Sequence, residues 1–481
     1  MTTEVGRPHH HVTFAVLTAG IVTYSLLQSL VTPVLPTIQS ELHTGRSTVT
    51  WVLTAYLLSA SIFTPIMGRA GDLIGKKRVF VAALIALSLG ALLAALATDV
   101  TVLIIARAIQ GIGGGVLPLA FGIVRDEFPR EKVSGAVGAI ASLTAAGGAA
   151  GIVLAGPIVG ALGYPWLFWL PMILTAASAV AAHFLLPESP GRSPGRIGLL
   201  PAVLMSGWLV ALLVAVGRAP DRGWGSGEVI VLLVVAVGVA LAWIRVEKRS
   251  ARPLIDMAMM RQPAVWTNNL IALLVGVAMY ALFAFVPVFV QTPTSAGYGF
   301  GASVTQSGLM VLPQPITMFL AGMITGGLSR RIGERAVVML GLLVSLASVA
   351  LLTFARSEEW ELYLATTIMG AGFGFAFSAM SSLIVGAVPP AQTGVASGMN
   401  ANIRTVGGSI GTALMAGVVT ADLRPDGLPE EAGYTNGFGM LGVTLVMAAF
   451  AVLLVPRSRG VSVAECRPPG TATTAMANQA E

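Results

Sequence analysis

Residues Gly68–Arg78 read GRAGDLIGKKR. One long apolar run precedes this stretch and another follows it. One acid, Asp72, sits among glycines, and Lys76, Lys77 and Arg78 follow it. A charged turn between two apolar segments belongs at a membrane surface, where its charges and backbone find water or partners. The cations place it on the cytoplasmic side. A weaker copy, GGLSRRIGER, covers Gly326–Arg335. Gly68 matches Gly326, Ile74 matches Ile332 and Gly75 matches Gly333, each 258 residues apart, while Arg330 replaces Asp72. Two related turns imply two related halves.

Composition points the same way. Only 10% of the 481 residues are charged and 55% are hydrophobic, whereas a soluble chain carries about a quarter charged. The 56 glycines suit helices packed through small residues in lipid. A large soluble domain is thereby excluded. The net charge of +6 resides in short connections and gives no sign of nucleic-acid binding. The single cysteine, Cys466, lies in the tail, and no Cys/His cluster has metal-ligand spacing. The first apolar run is too long for a signal-peptide core and reads as a span.

Spans of about 20 apolar residues fit at 13–36, 50–70, 78–97, 101–124, 136–162, 165–186, 199–217, 227–245, 264–290, 304–327, 336–355, 361–386, 392–419 and 437–456. The fold class is all-α: a polytopic membrane protein with fourteen transmembrane helices. With the N-terminus inside, inner segments hold twenty of the 28 Lys and Arg and outer segments five, with Arg69, Arg107 and Arg404 at or within spans. That bias places both termini in the cytoplasm.

The internal repeat has a second and a third anchor. Gly111, Gly113 and Gly115 of span four match Gly370, Gly372 and Gly374 of span twelve. Gly138, Gly147, Gly148 and Gly151 of span five match Gly398, Gly407, Gly408 and Gly411 of span thirteen. Spans 1–6 and 9–14 are therefore pseudo-symmetric lobes, and spans 7 and 8 are an inserted pair. The expected organisation is a cytoplasmic N-terminus over 1–12, a first lobe over 13–198, the inserted pair and a cytoplasmic linker over 199–263, a second lobe over 264–456 and a disordered cytoplasmic tail over 457–481. Repeated bundles of this kind suit alternating access, one half rocking on the other about a midplane site.

These residues resemble the major facilitator superfamily, in particular its fourteen-span drug:proton antiporter branch. Gly68–Arg78 resembles the signature turn after span two, and WVLTAYLL at 51–58 is similar to the branch. RAIQGIGGG, with Arg107, Gln110 and Gly111 to Gly115, resembles the signature of span four. GIVLAGPIVGAL, with Gly151, Gly156, Pro157 and Gly160, resembles the antiporter signature of span five, with Ala161 at its final glycine. The branch often carries an Asp early in span one, and Leu27 stands there in SLLQSLVTPVLP. The resemblance implies that Gly68, Asp72, Gly75, Lys76, Lys77, Arg78 and Arg330 form a conformational latch, with Asp72 capping a facing helix N-terminus. The other reading is a plain surface turn. It also implies a part for Arg107 in proton coupling.

A central arginine costs about 2.5–3.5 kcal/mol on insertion scales and is a functional candidate by default. Arg107 keeps its own proton, so it can tune a neighbour or hold an anion. Gln110, three residues on, can orient it. Carbonyls of neighbouring spans could equally make it structural. Arg404, with Asn400 four residues before it, is a second buried cation, in the cavity or tying helices. Gly151, Gly156, Pro157 and Gly160 suit a bendable, closely packed gate helix. Tyr24, Gln28, Tyr56, Tyr280, Gln306 and Gln314 are uncharged candidates for a substrate cavity. No acid falls clearly inside a span, with Glu41, Asp72, Asp99 and Glu188 at edges, so a neutral or anionic cargo is expected. Gly111–Gly115 has no preceding strand and no Lys-Ser/Thr after it, which excludes a phosphate loop. No cofactor beyond the proton gradient, no metal and no enzymatic reaction are expected.

The expected function is export of a small amphipathic compound (a drug, antibiotic or toxic metabolite) in exchange for protons by alternating access. The same residues also accommodate proton-coupled uptake of an organic solute, or a non-transporting membrane sensor. Expected partners are a small-molecule substrate, protons and the lipid bilayer, with no nucleic acid, and the chain is expected to be monomeric. Arg outnumbers Lys 24 to 4, a bias that suits a GC-rich bacterium and hence a bacterial plasma (inner) membrane.

Overall fold

A computed structural model describes residues 10–44, 46–188, 198–250, 253–425 and 427–456. The expected N-terminal segment up to residue 9 and the tail from 457 lie outside the described residues. The fold is all-helical. Fourteen long segments follow one another: α1 His10–Ser29, α2 Arg46–Ile74, α3 Lys76–Ala95, α4 Val100–Glu127, α5 Arg130–Leu162, α6 Trp166–Leu185, α7 Leu199–Arg222, α8 Gly227–Arg249, α9 Pro263–Gln291, α10 Thr305–Ile332, α11 Glu334–Phe354, α12 Glu359–Ala387, α13 Thr393–Val419 and α14 Glu431–Leu453. Thirteen are long and apolar enough to cross a membrane. The exception is α13, which is long enough at 27 residues but carries Asn400, Asn402 and Arg404, all buried. Its polar groups face protein, the condition under which polar residues enter a membrane.

The stretch 68–78 is not a turn, as its sequence suggests. Gly68 to Ile74 form the last turns of α2, and α3 begins at Lys76. The reversal is made by Gly75 alone, at φ +113, a backbone conformation open to glycine and strained for other residues. Gly333 repeats the device between α10 and α11 at φ +85. The charges therefore sit on helices in fixed directions.

The repeated glycines show how the two lobes correspond. A Cβ on Gly111 or Gly115 would strike α2 at Ser59 or Met67, and one on Gly113 would strike Leu87 of α3. Their counterparts behave alike: Gly370 and Gly374 would strike α10 at Gln314 and Met318, and Gly372 would strike Ser345 of α11. Gly147 and Gly151 lie against Ser25 and Ser29 of α1, as Gly407 and Gly411 lie against Leu273 and Val277 of α9. In lipid there is no hydrophobic drive between apolar helices, so close backbone packing holds them. Between residues 112 and 115 the winding of α4 tightens to a 3₁₀ helix.

The lobes meet along two crossings, α2 on α13 and α5 on α10. Each is made by facing glycines. A Cβ on Gly394 would lie 2.6 Å from the carbonyl oxygen of Gly68, and one on Gly326 would lie 2.5 Å from Cα of Gly135. Of the inserted pair, α7 lies against both α2 and α13, and α8 is largely exposed.

Gly326→Ala places a methyl against backbone that cannot turn aside, and overpacking of this kind costs about 1–3 kcal/mol. Gly148→Ala, whose Cβ meets nothing within 4 Å, gains helix propensity of roughly 0.5–1 kcal/mol. Thermal unfolding in detergent should therefore move in opposite directions for the two variants. Equal shifts would contradict the crossing.

Candidate functional site

At the charged end of the bundle, Asp72 is 1% exposed in the last turn of α2. Its carboxylate accepts hydrogen bonds from the N–H groups of Gly394 (3.4 Å) and Val395 (3.1 Å). These amides open α13 and have no partner within their own helix. The positive end of the helix dipole favours an anion there. Lys76, 2% exposed, places Nζ 2.9 Å from both carboxylate oxygens of Asp126 and 3.4 Å from the carbonyls of Gly122 and Pro390. Arg125 donates to the Thr393 hydroxyl at 2.9 Å and to the Val385 carbonyl. Thus α2, α3 and α4 of the first lobe grip the junction of α12 and α13 in the second.

The linker joins this cluster. Asp256 accepts from the side-chain amide of Gln392 at 3.3 Å, just before α13. Glu247, 3% exposed, accepts from the N–H groups of Leu254 (3.0 Å) and Ile255 (3.2 Å) and shapes the linker. Arg78 stays exposed and pairs with Glu188 at 3.5 Å, an arrangement worth little. Lys77 is half-buried and Arg330 is exposed.

At the matching crossing α10 has no acid at position 330. Glu334 on α11 accepts from the Ser134 hydroxyl at 3.0 Å, at the start of α5, and the Ser382 hydroxyl donates to the Ser134 carbonyl at 3.0 Å. The second crossing therefore has an acid near its helix N-terminus too, supplied from a different helix.

Deeper in the bundle, a chamber of about 50 Å³ lies between the lobes. Tyr24 and Gln28 of α1, Ser61 and Thr64 of α2, Thr144 of α5, Tyr280 of α9 and Asn402 and Arg404 of α13 are on its wall. Ligand pockets run to about 300–1,000 Å³, so in this form the chamber is closed to a drug-sized solute.

Arg107 is fully buried. Its Nε donates to the Val52 carbonyl (3.1 Å), and one Nη donates to the Leu27 carbonyl (3.4 Å) and to Gln110 Oε1 (2.7 Å). The guanidinium lies 4.4 Å from the Tyr56 ring centre. The other Nη and the Gln110 amide nitrogen have no hydrogen-bond partner. The residue ties α1, α2 and α4 together behind the chamber wall. Its neighbour Leu27, at the place where the resembling branch often carries an Asp, is buried and offers only its carbonyl.

The chain as a whole is similar to known proteins. The sequence fits the family model described as Major Facilitator Superfamily over residues 17–412 and 292–465. The chain belongs to the Major Facilitator Superfamily. It is a multi-pass membrane transporter, not an enzyme. It is 29% identical to a "Multidrug resistance protein B homolog" of Mycobacterium tuberculosis over 80% of this chain and 71% of that one. It is 28% identical to the "Multidrug transporter protein MdtP" of Bacillus subtilis, covering 89% and 84%. It is 26% identical to the "Tetracenomycin C resistance and export protein" of Streptomyces glaucescens, covering 90% and 79%. The human organic anion transporter MFSD10 shares its fold, with a TM-score of 0.69 at 18% identity over 92% of this chain and all of that one.

Within this transporter, the candidate residues separate into groups. Tyr24, Gln28, Tyr280 and Arg404 share the chamber. Tyr56 is buried against Arg107. Gln314 is buried with its amide nitrogen unpartnered. Gln306 is not at the chamber: it is exposed and forms a capping box with Ser303 at the start of the tenth span, the local use for which Ser-x-x-Gln is suited. Asn400 does not orient Arg404, because it donates to Asn269 at 2.9 Å. Gly151 packs on α1, while Pro157 and Gly160 are exposed and α5 continues unbroken through the proline. Sequence reading does not single out Asp126, Glu247 and Glu334, which lie in α4, α8 and α11 near the charged end. Asp126 and Glu334 take their partners, Lys76 and Ser134, from distant sequence, whereas Glu247 holds the nearby amides of Leu254 and Ile255.

Asp72→Asn removes the charge from the cap and keeps its size. Charge-assisted bonds of this kind are worth roughly 1.5–3 kcal/mol, a tenfold or larger shift in the balance of forms. Spin labels at positions 131 and 331, both exposed, should then report a longer and broader distance distribution. An unchanged distribution would show that Asp72 does not hold the lobes.

Proposed function

We propose that this transporter exports a small amphipathic compound in exchange for protons across a bacterial plasma membrane, with both termini and the latched end cytoplasmic. The observation that supports the reading is a closed chamber between two related lobes, joined at the charged end by polar contacts that can be broken and remade. The excess of Lys and Arg in inner connections supports the orientation. The names of the relatives, multidrug resistance and export of tetracenomycin C, support the direction. In the described form the cytoplasmic end is shut. Release of Asp72 from α13 lets the lobes part there and opens the chamber inward.

Energy comes from the proton gradient in this reading. Asp72 is a titratable group whose charge strengthens the contact between lobes, so its protonation weakens the hold on α13. Arg107 does not give up its proton at physiological pH. Its part is to fix Tyr56 and the helices behind the chamber. Gly156 and Pro157 allow α5 to bend as the lobes move, and its small residues keep it close to α1.

The test is flux of an amphipathic antibiotic in proteoliposomes under an imposed pH gradient. Uphill movement should follow the gradient and collapse with a protonophore. Arg107→Ala leaves buried carbonyls and Gln110 unpartnered and should lower flux at least tenfold, with the protein still folded by its melting curve. Flux indifferent to the gradient would remove proton exchange from the mechanism.

A further inference from the structure

The buried arginines of this protein are not equivalent. Arg356, 7% exposed, leaves its Nε unpartnered but is paired with an acid within its own lobe. It donates to the Leu352 and Thr353 carbonyls at 2.8 Å, to Glu431 at 3.0 Å and to Thr435 at 2.6 Å. Arg107 has two carbonyls and Gln110. Arg404 is 6% exposed and lies on the chamber wall. Its guanidinium meets the Tyr280 hydroxyl, its Nε has no hydrogen-bond partner, and no acid among the described residues forms an ion pair with it. Its guanidinium rests 4.1 Å from the centre of the Phe377 ring, which holds the plane while leaving its edge for another group.

Two further unsatisfied groups share that wall. The Ser61 hydroxyl and the Asn402 carbonyl oxygen are buried and unpartnered. Tyr24 and Tyr280 add aromatic surface, and none of the residues lining the chamber is an acid. A cation buried in a membrane protein without a counter-charge awaits one or marks a pathway. Its planar fork matches a carboxylate or sulfonate, and the hydroxyl and amide can supply further hydrogen bonds.

We infer that the chamber selects amphipathic solutes bearing an acidic group, with Arg404 as the anchor for the anion and the aromatic rings as the seat for the apolar body. The inference rests on the chamber being the transport site, and it names the class of cargo. A lipophilic cation would meet the uncompensated charge of Arg404 and be rejected.

Binding to the purified full chain in detergent tests this without any gradient, so failure of export and failure of anion selection are read separately. The probes are pyrene-1-butyrate, its primary amide and the trimethylammonium analogue with the same ring and tether. The carboxylate should bind at least tenfold more tightly than the amide, and the ammonium most weakly. Arg404→Gln should equalise carboxylate and amide, and Arg404→Lys should restore part of the preference. Tighter or equal binding of the ammonium, a preference unchanged in Arg404→Gln, or no binding of the carboxylate up to 1 mM would each overturn the inference. Should Arg404→Gln fail to fold, the order of the three probes on the unaltered protein decides it.

Discussion

A carboxylate on the end of one helix capping the first amides of another is the contact on which this structure turns. Asp72 and the amides of Gly394 and Val395 belong to different lobes, so the bond exists only when the lobes are together at that end. A buried charge without such donors is costly, and four orphan amides at a buried helix start are costly too. Each reduces the other's penalty, the carboxylate taking two of those amides. The contact is therefore favourable when made, yet requires only that two groups become solvated when it breaks. This is the energetic character expected of an element with two arrangements, unlike the interdigitated packing within each lobe.

That cap could not form between ordinary helices. The carboxylate reaches α13 because Gly68 and Gly394 let two backbones touch, and the matching crossing uses Gly326 and Gly135 in the same way. The glycines of α4 and α12 bring those helices onto their neighbours within each lobe. Small residues thus set distances, and the charged groups at one end then have fixed partners. Lys76 and Arg125 extend the grip to the carbonyls and hydroxyl around the start of α13, and the linker adds Asp256 on Gln392.

Charge is divided along the bundle. Asp72, Asp126, Glu247 and Glu334 gather at the charged end of the bundle. The chamber has Arg404 on its wall and Arg107 behind it, with no acid lining it. A latch made of neutralised pairs can sit at the headgroup level at little cost. A lone guanidinium deeper in the bundle cannot, which is the physical ground for proposing Arg404 as an anchor for cargo.

Hydropathy, the bias of Lys and Arg and the spacing of repeated glycines were enough to read an all-helical membrane protein of fourteen segments in two related lobes with an inserted pair. Those properties act through solvation and through the absence of a side chain, and both are written residue by residue. Arg107 beside Gln110 was legible for the same reason, since helical spacing makes them neighbours. What tertiary structure decided was which groups meet across the lobes. The stretch at 68–78 reads as a turn because of its glycines, yet Gly68 and Gly71 are helical, Gly75 alone makes the reversal, and Gly68 serves a contact more than 300 residues away. Glu334 acquires its partner only through the crossing of α5 and α10, and Gln306 is drawn into a local cap although its polarity in an apolar run suggested a cavity. Pairing between distant segments depends on the relative placement of whole helices, and no periodicity in a single chain segment encodes that placement.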